Sequence, residues 1–193
     1  MLADVGFRHP QPSETSGLLR GVAMPVSDAL SRAQAIAATA ADEPGALPYA
    51  AVVVKDEEIV GEGLNRALAL SDPTSHGEVE AIRDACKRLG VTNLGGATMV
   101  TTAEPCAMCV ATMLLSGVDE LVFAAGADDS AAFMAKLAAK NPSVRRRFSM
   151  AELREQVGLP SDARQHLPMK REGQAEAVAI FDAFAAKVTA ETT

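Results

Sequence analysis

Thr101-Thr102-Ala103-Glu104-Pro105-Cys106-Ala107-Met108-Cys109 is the stretch on which the reading of this chain turns. The apolar and β-branched run from Ala97 to Thr102 reads as a strand. Glu104-Pro105 closes it and opens a helical run from Cys106 to Ser116, with proline at a first-turn position where its missing N–H costs nothing. Gly117 stops that helix, and Glu120 to Ala125 reads as the next strand. The same order stands upstream. Tyr49 to Lys55 and Glu58 to Gly63 read as strands joined by a turn at Asp56-Glu57, a hairpin. Asp72-Pro73-Thr74-Ser75 is a turn and N-cap cluster, and from it a helix is expected over 76–89 with its stop at Gly90. Strand, helix, strand, helix predicts a parallel sheet covered on both faces, and the continuous apolar strands agree.

Both helices carry chemistry at their first turns. His76-Gly77-Glu78 begins one, and Cys106 and Cys109 begin the other. Alone, a C-x-x-C is a redox pair, half of a structural zinc site, or two core cysteines. Alone, a histidine has many roles. Together they make a set of one nitrogen and two thiolates in a chain with only three Cys and three His. A catalytic zinc takes three protein ligands and keeps a fourth position for water. The positive end of each helix dipole favours thiolates and other anions there. A structural site would need a fourth ligand. Cys86 lies about ten residues beyond His76, nearly three helical turns away, and reads as a buried small hydrophobe. His9 and His166 carry no ligand spacing. The open fourth position therefore implies catalysis, with Glu78 as the general base. H-x-E followed by P-C-x-x-C is the signature of the zinc nucleobase deaminases.

Composition bounds the partners. The 193 residues suit one domain with extensions, and 48% apolar content suffices for a packed core. No stretch approaches a membrane span. Met1 to Pro25 has no apolar signal core, and two of three cysteines are committed to metal; both point to a reducing, cytoplasmic setting. Net charge is −7, from 18 basic and 25 acidic residues, which argues against a phosphate-rich partner. Aromatics are 4% with no Trp, so a stacking surface for single-stranded nucleic acid is not expected.

Toward the ends the reading rests on turns and caps. Residues 1–26 read as an irregular N-terminal extension punctuated by Pro10, Pro12 and Gly17. Ser27 is read as the cap of an Ala-rich helix over 28–41. Asp129 to Lys140 is expected to be helical, Ser149-Met150-Ala151-Glu152 is a capping box, and Arg164 to Lys170 is the candidate fifth strand. Glu172 to Thr189 reads as an amphipathic helix with Val178, Phe181, Phe184 and Val188. Arg145-Arg146-Arg147 is a short basic run, read as a solvated loop face. The organisation expected is a single domain over 27–193, with a C-terminal helical extension over about 126–193.

From Tyr49 to Ala125 the chain resembles the cytidine deaminase-like superfamily, in the branch that holds guanine deaminase, cytosine deaminase and the tRNA adenosine deaminases. The matching motifs are Gly61-Glu62-Gly63-Leu64-Asn65-Arg66, then Asp72-Pro73-Thr74-Ser75-His76-Gly77-Glu78, then Thr101 to Cys109. The resemblance implies an α/β fold, a three-layer α/β/α sandwich around a five-stranded mixed sheet. It implies Zn²⁺ on His76, Cys106 and Cys109, Glu78 as the catalytic acid–base, and Asn65 as a contact to the substrate base. From position alone Asn65 would be an ordinary turn residue. The resemblance also implies a homodimer. Family members carry further substrate contacts in the C-terminal third; here Asp128, Asp129, Phe133, Phe148 and His166 stand there without an assigned role. Three readings follow: a deaminase of a free base, guanine ahead of cytosine; a tRNA-specific adenosine deaminase; and a non-catalytic zinc module, which would have no need of Glu78.

Overall fold

The computed structural model describes residues 24–144, 148–159 and 172–190. Helix α1 (Val26–Ala38) runs into a short 3₁₀ turn (Thr39–Ala41) and is followed by strands β1 (Leu47–Lys55) and β2 (Glu58–Asn65). Then come α2 (Gly77–Leu89), β3 (Thr98–Ala103), α3 (Ala107–Ser116), β4 (Glu120–Ala125) and α4 (Ala127–Lys140). A second 3₁₀ turn (Pro142–Val144), α5 (Met150–Gly158) and α6 (Gln174–Ala190) complete the described elements.

The sheet order is β2-β1-β3-β4. β1 pairs antiparallel with both β2 and β3, and β3 pairs parallel with β4. The sheet is thus mixed, not parallel as the strand–helix alternation alone suggests: the hairpin reverses β1, and β1 sits between β2 and β3. Among the described residues four strands are found where five were expected. The candidate fifth, Arg164 to Lys170, lies outside the described residues, as do His9, His166 and Arg145 to Arg147. The hairpin turn places Asp56 and Glu57 at φ 50° and 67°, the left-handed pair that a two-residue connection between twisted strands requires.

Three layers form because β1 alternates. Ala51 and Val53 point to one face, where they pack with Met99, Val79, Ala81, Ile82, Ala85 and Met113 of α2, α3 and β3. Val52 points to the other face, where it packs with Val100 and with Ala29 and Ala33 of α1. The capping expectation for α1 fails: the helix starts two residues earlier, with Pro25 at the N-cap, and Ser27 accepts from the Ser31 hydroxyl through its carbonyl instead. The Ser149 box is present, with Ser149 Oγ accepting from Glu152 N–H at 3.1 Å and the Glu152 carboxylate accepting from Ser149 N–H at 2.7 Å. Cys86 is half-buried against the α2–α3 core.

Strand direction positions the site. Because β1 opposes both neighbours, β2, β3 and β4 all run the same way. Each is followed by a helix, so α2, α3 and α4 all begin at one end of the sheet. That is where ligands collect in open α/β sheets. β2 can lie tightly under α2 because it carries glycines there. A Cβ on Gly61 would stand 2.3 Å from the Ala81 carbonyl oxygen, and one on Gly63 would stand 2.0 Å from that of Gly77.

Candidate active site

His76 is the N-cap of α2 and Cys106 the N-cap of α3, each in extended backbone. The turn cluster before His76 forms, with Asp72 Oδ1 accepting from Thr74 N–H and Oγ–H at 2.8 and 2.7 Å. It does not cap the helix; His76 itself occupies that position, without a side-chain cap bond. One turn in, Cys109 and Glu78 face the same region, Cys109 fully buried and Glu78 7% exposed.

The three expected ligands converge. Cys106 Sγ lies 3.6 Å and Cys109 Sγ 3.4 Å from His76 Nδ1, and the two sulfurs are 3.5 Å apart. Zinc bonds of about 2.3 Å to sulfur and about 2.0 Å to nitrogen, at tetrahedral angles, separate ligand atoms by roughly 3.5–3.8 Å. The set therefore fits a tetrahedral ion bound through Nδ1 and two thiolates. No other described His, Cys, Asp or Glu joins this cluster, so three protein ligands leave one position open.

The electrostatics ask for a cation. The hydrogen bond shared by the two thiols and the bond to His76 hold Cys106 down to about 4 against the effect of burial. The same shared bond, with burial and the charge of Glu78, pushes Cys109 up. The pair keeps one proton between two buried sulfurs, the arrangement a divalent ion resolves by displacing it. Burial raises the Glu78 carboxyl above its ordinary value, while its backbone hydrogen bond and His76 pull it down.

Two hollows open onto this group. The larger, about 450 Å³, is walled by Leu47, Asn65, Leu68, His76, Cys106, Met108, Met134, Val144, Phe148 and Leu153. The smaller, about 40 Å³, is lined by Tyr49, Asn65, His76, Glu78, Thr101, Glu104, Cys106, Ser130 and Met150. Asn65 is 1% exposed at the end of β2 and walls both. Its Oδ1 accepts from the Ala67 N–H at 3.2 Å, which fixes the amide and leaves its N–H groups for a ligand.

The C-terminal elements supply what sequence reasoning left unassigned. Phe148 is part of the wall of the larger hollow, and Phe133 stacks edge-on against Tyr49 at 5.8 Å. Asp129 caps α4, its Oδ2 accepting from Gly126 N–H at 2.9 Å. Met134 of α4, Val144 of the second 3₁₀ turn and Leu153 of α5 carry nothing in sequence that sets them apart from other apolar residues. Glu104 ties these elements to the metal-side loop: its carboxylate accepts from Ala127 N–H at 3.0 Å and pairs with Arg154 of α5.

A family model, the cytidine and deoxycytidylate deaminase zinc-binding region, matches residues 25–125. The chain is 40% identical over 83 residues to the tRNA-specific adenosine deaminase of Aquifex aeolicus, covering 43% of this chain and 55% of that protein. It is 42% identical over 84 residues to the guanine deaminase of Bacillus subtilis, covering 44% and 54%. The chain spans about half the length of the curated relatives it matches. A crystal structure of the Bacillus subtilis guanine deaminase superposes with a TM-score of 0.70 at 29% identity, over 84% of this chain and 95% of that one. No described helix is long and apolar enough to cross a membrane. With residues 25–125 matched, more than half of its length, the chain belongs to the family of cytidine and deoxycytidylate deaminase zinc-binding regions.

Proposed function

We propose that this chain is a zinc-dependent hydrolytic deaminase of a free nucleobase or similar small amino-heterocycle, with guanine the leading substrate. The observation that carries the reading is the buried Glu78 carboxyl, which lines the small hollow beside His76 and Cys106, residues that also wall the adjoining hollow sized for a heterocycle. Zinc, when held by His76, Cys106 and Cys109, would supply a water whose pKa falls to about 7. Glu78 accepts the proton of the attacking water and delivers it to the ring nitrogen next to the amino-bearing carbon, making that carbon electrophilic. Hydroxide adds to that carbon; Glu78 then takes the proton of the new hydroxyl and passes it to the amino group, and as the C–O bond becomes a carbonyl the C–N bond breaks and ammonia leaves. Burial suits Glu78 to this work, because a raised pKa brings the acid and base forms closer in energy near neutrality. Asn65 holds the base in register from the end of β2.

A free base is favoured over tRNA by the walls. Met134, Val144, Phe148 and Leu153 give the larger hollow an apolar wall of C-terminal side chains, a surface suited to the face of a small heterocycle. The net charge of −7 supports the same choice, since a tRNA surface needs distributed phosphate contacts. Cytosine is the next free base; tRNA adenosine is the second reading, supported by the identity to the Aquifex aeolicus enzyme. We further propose that residues 27–193 act as one deaminase domain with 126–193 as its extension, that the protein works as a homodimer, and that it resides in the cytoplasm. The substrate is tested by ammonia release from guanine, cytosine, adenine, their nucleosides and aminotriazines, set against inosine formation in an anticodon stem-loop. Turnover of a free base, with no inosine formed, is the expected result.

A further inference from the structure

Ser130 stands near the start of α4, and its Oγ is buried with no hydrogen-bond partner among the described residues. That is unusual for a hydroxyl on a helix of this chain. Ser31 Oγ–H donates to the Ser27 carbonyl, Thr112 to that of Met108, and Ser116 to that of Met113. Such bonds to the preceding turn are the ordinary resting place of a helical hydroxyl. Ser130 has the same option, since the Gly126 carbonyl already accepts its own N–H, yet the hydroxyl does not take it. A buried polar atom left unpaired destabilises the protein and calls for an explanation.

The explanation lies in what Ser130 faces. It lines the hollow of about 40 Å³ that Glu78, His76 and Asn65 also line. That volume is close to the share of one water molecule in the liquid, so it admits one polar substituent or ring edge. The hollow of about 450 Å³ shares Asn65, His76 and Cys106 as walls and has room for the rest of a heterocycle. Among the described strands, Asn65 ends β2 at one side of the sheet, whereas Ser130 follows β4 at the other. Polar groups from both sides of the described sheet thus converge on the space next to the acid–base carboxyl.

We propose that Ser130 is a specificity residue whose hydroxyl hydrogen-bonds the polar edge of the amino-heterocycle when it is bound beside Glu78. This rests on the deaminase reading above and adds to it a contact from the C-terminal extension. A hydroxyl both donates and accepts, so it suits a base that presents a ring N–H, ring nitrogen or carbonyl on that edge.

The experiment compares the zinc-loaded wild type with Ser130→Ala, measuring steady-state kinetics on guanine and on adenosine in an anticodon stem-loop, and thermal melting of the free enzyme. On whichever substrate the wild type turns over, the variant should show a KM raised about tenfold, the factor one ordinary hydrogen bond carries. Melting should stay level or rise, because the variant removes an unpaired buried hydroxyl. A KM unchanged from wild type overturns the proposal. So does a lowered melting temperature with KM lost in parallel, which would make Ser130 a structural residue. Wild-type enzyme inert on both substrates and on the other free bases would overturn the deaminase reading itself, and this contact with it.

Discussion

Gly63 of β2 lies so close to Gly77 of α2 that a Cβ on Gly63 would stand 2.0 Å from the Gly77 carbonyl oxygen. Gly77 is itself pressed onto β1, where a Cβ would stand 2.7 Å from the Tyr49 carbonyl oxygen. These two glycines let the start of α2 settle onto the sheet, and that start carries His76 and Glu78. Gly63→Ala must push α2 away against backbone, which no side-chain rotation relieves. Overpacking of this kind costs about 1–3 kcal/mol. We expect a lowered melting temperature together with a reduced zinc content, measured on the same preparation. An unchanged melting temperature would show that α2 is not held by this contact.

The ligand set predicts one zinc per chain. Cys106→Ala should lose most of it, because two remaining ligands cannot hold the ion against solvent. Elemental analysis of purified protein checks both points. Chelation of the wild type should also lower its melting temperature, since binding to the folded state alone is stabilising. Metal content unchanged by the substitution would place the ion elsewhere.

Arg154 joins α5 to Glu104, next to the Pro105-Cys106 turn, and α5 brings Leu153 to the wall of the larger hollow. The pair is partly exposed, with side chains 42% and 26% accessible, so its worth in stability is about 0–1 kcal/mol. Its role is to hold the wall. Arg154→Ala should therefore raise KM several-fold, while melting shifts little. A large melting shift with unchanged KM would contradict this.

Exposed apolar side chains predict association. Leu114 and Leu115 of α3 are 74% and 88% accessible, and Phe181 and Phe184 of α6 are each 68% accessible. A soluble monomer gains nothing from such exposure, whereas a partner surface would bury it. Light scattering should return at least twice the chain mass across the working concentration range. A single-chain mass at all concentrations would rule out the dimer.

The metal half of the site was legible because its parts are local. His76 and Glu78 sit within one turn of α2, Cys106 and Cys109 within one turn of α3, and spacing alone places each pair. Strand positions were legible for the same reason, to within two residues at each end. What was not legible depends on packing at a distance. The pairing of β1 with β3 sets the strand order, and nothing in either strand's sequence states that neighbour. Met134, Val144 and Leu153 are apolar residues of three separate elements, so the hollow they wall is visible only after folding. Ser130 is one hydroxyl in a helical run, and only the burial of its oxygen sets it apart. Ser27 has the chemistry of a cap, but Pro25 fixes the entry two residues earlier.

The central claim is that Glu78 moves protons at a zinc-held water on a small amino-heterocycle. Its most direct test is ammonia release from guanine by zinc-loaded wild type and by Glu78→Gln, with metal content measured on both. The amide matches the carboxyl in size but cannot shuttle a proton. The account predicts full zinc in both proteins, ammonia from the wild type, and turnover in the variant lower by at least ~10²–10⁴-fold, the usual contribution of a general acid–base group. Turnover by Glu78→Gln within a few-fold of wild type, with zinc retained, would contradict it.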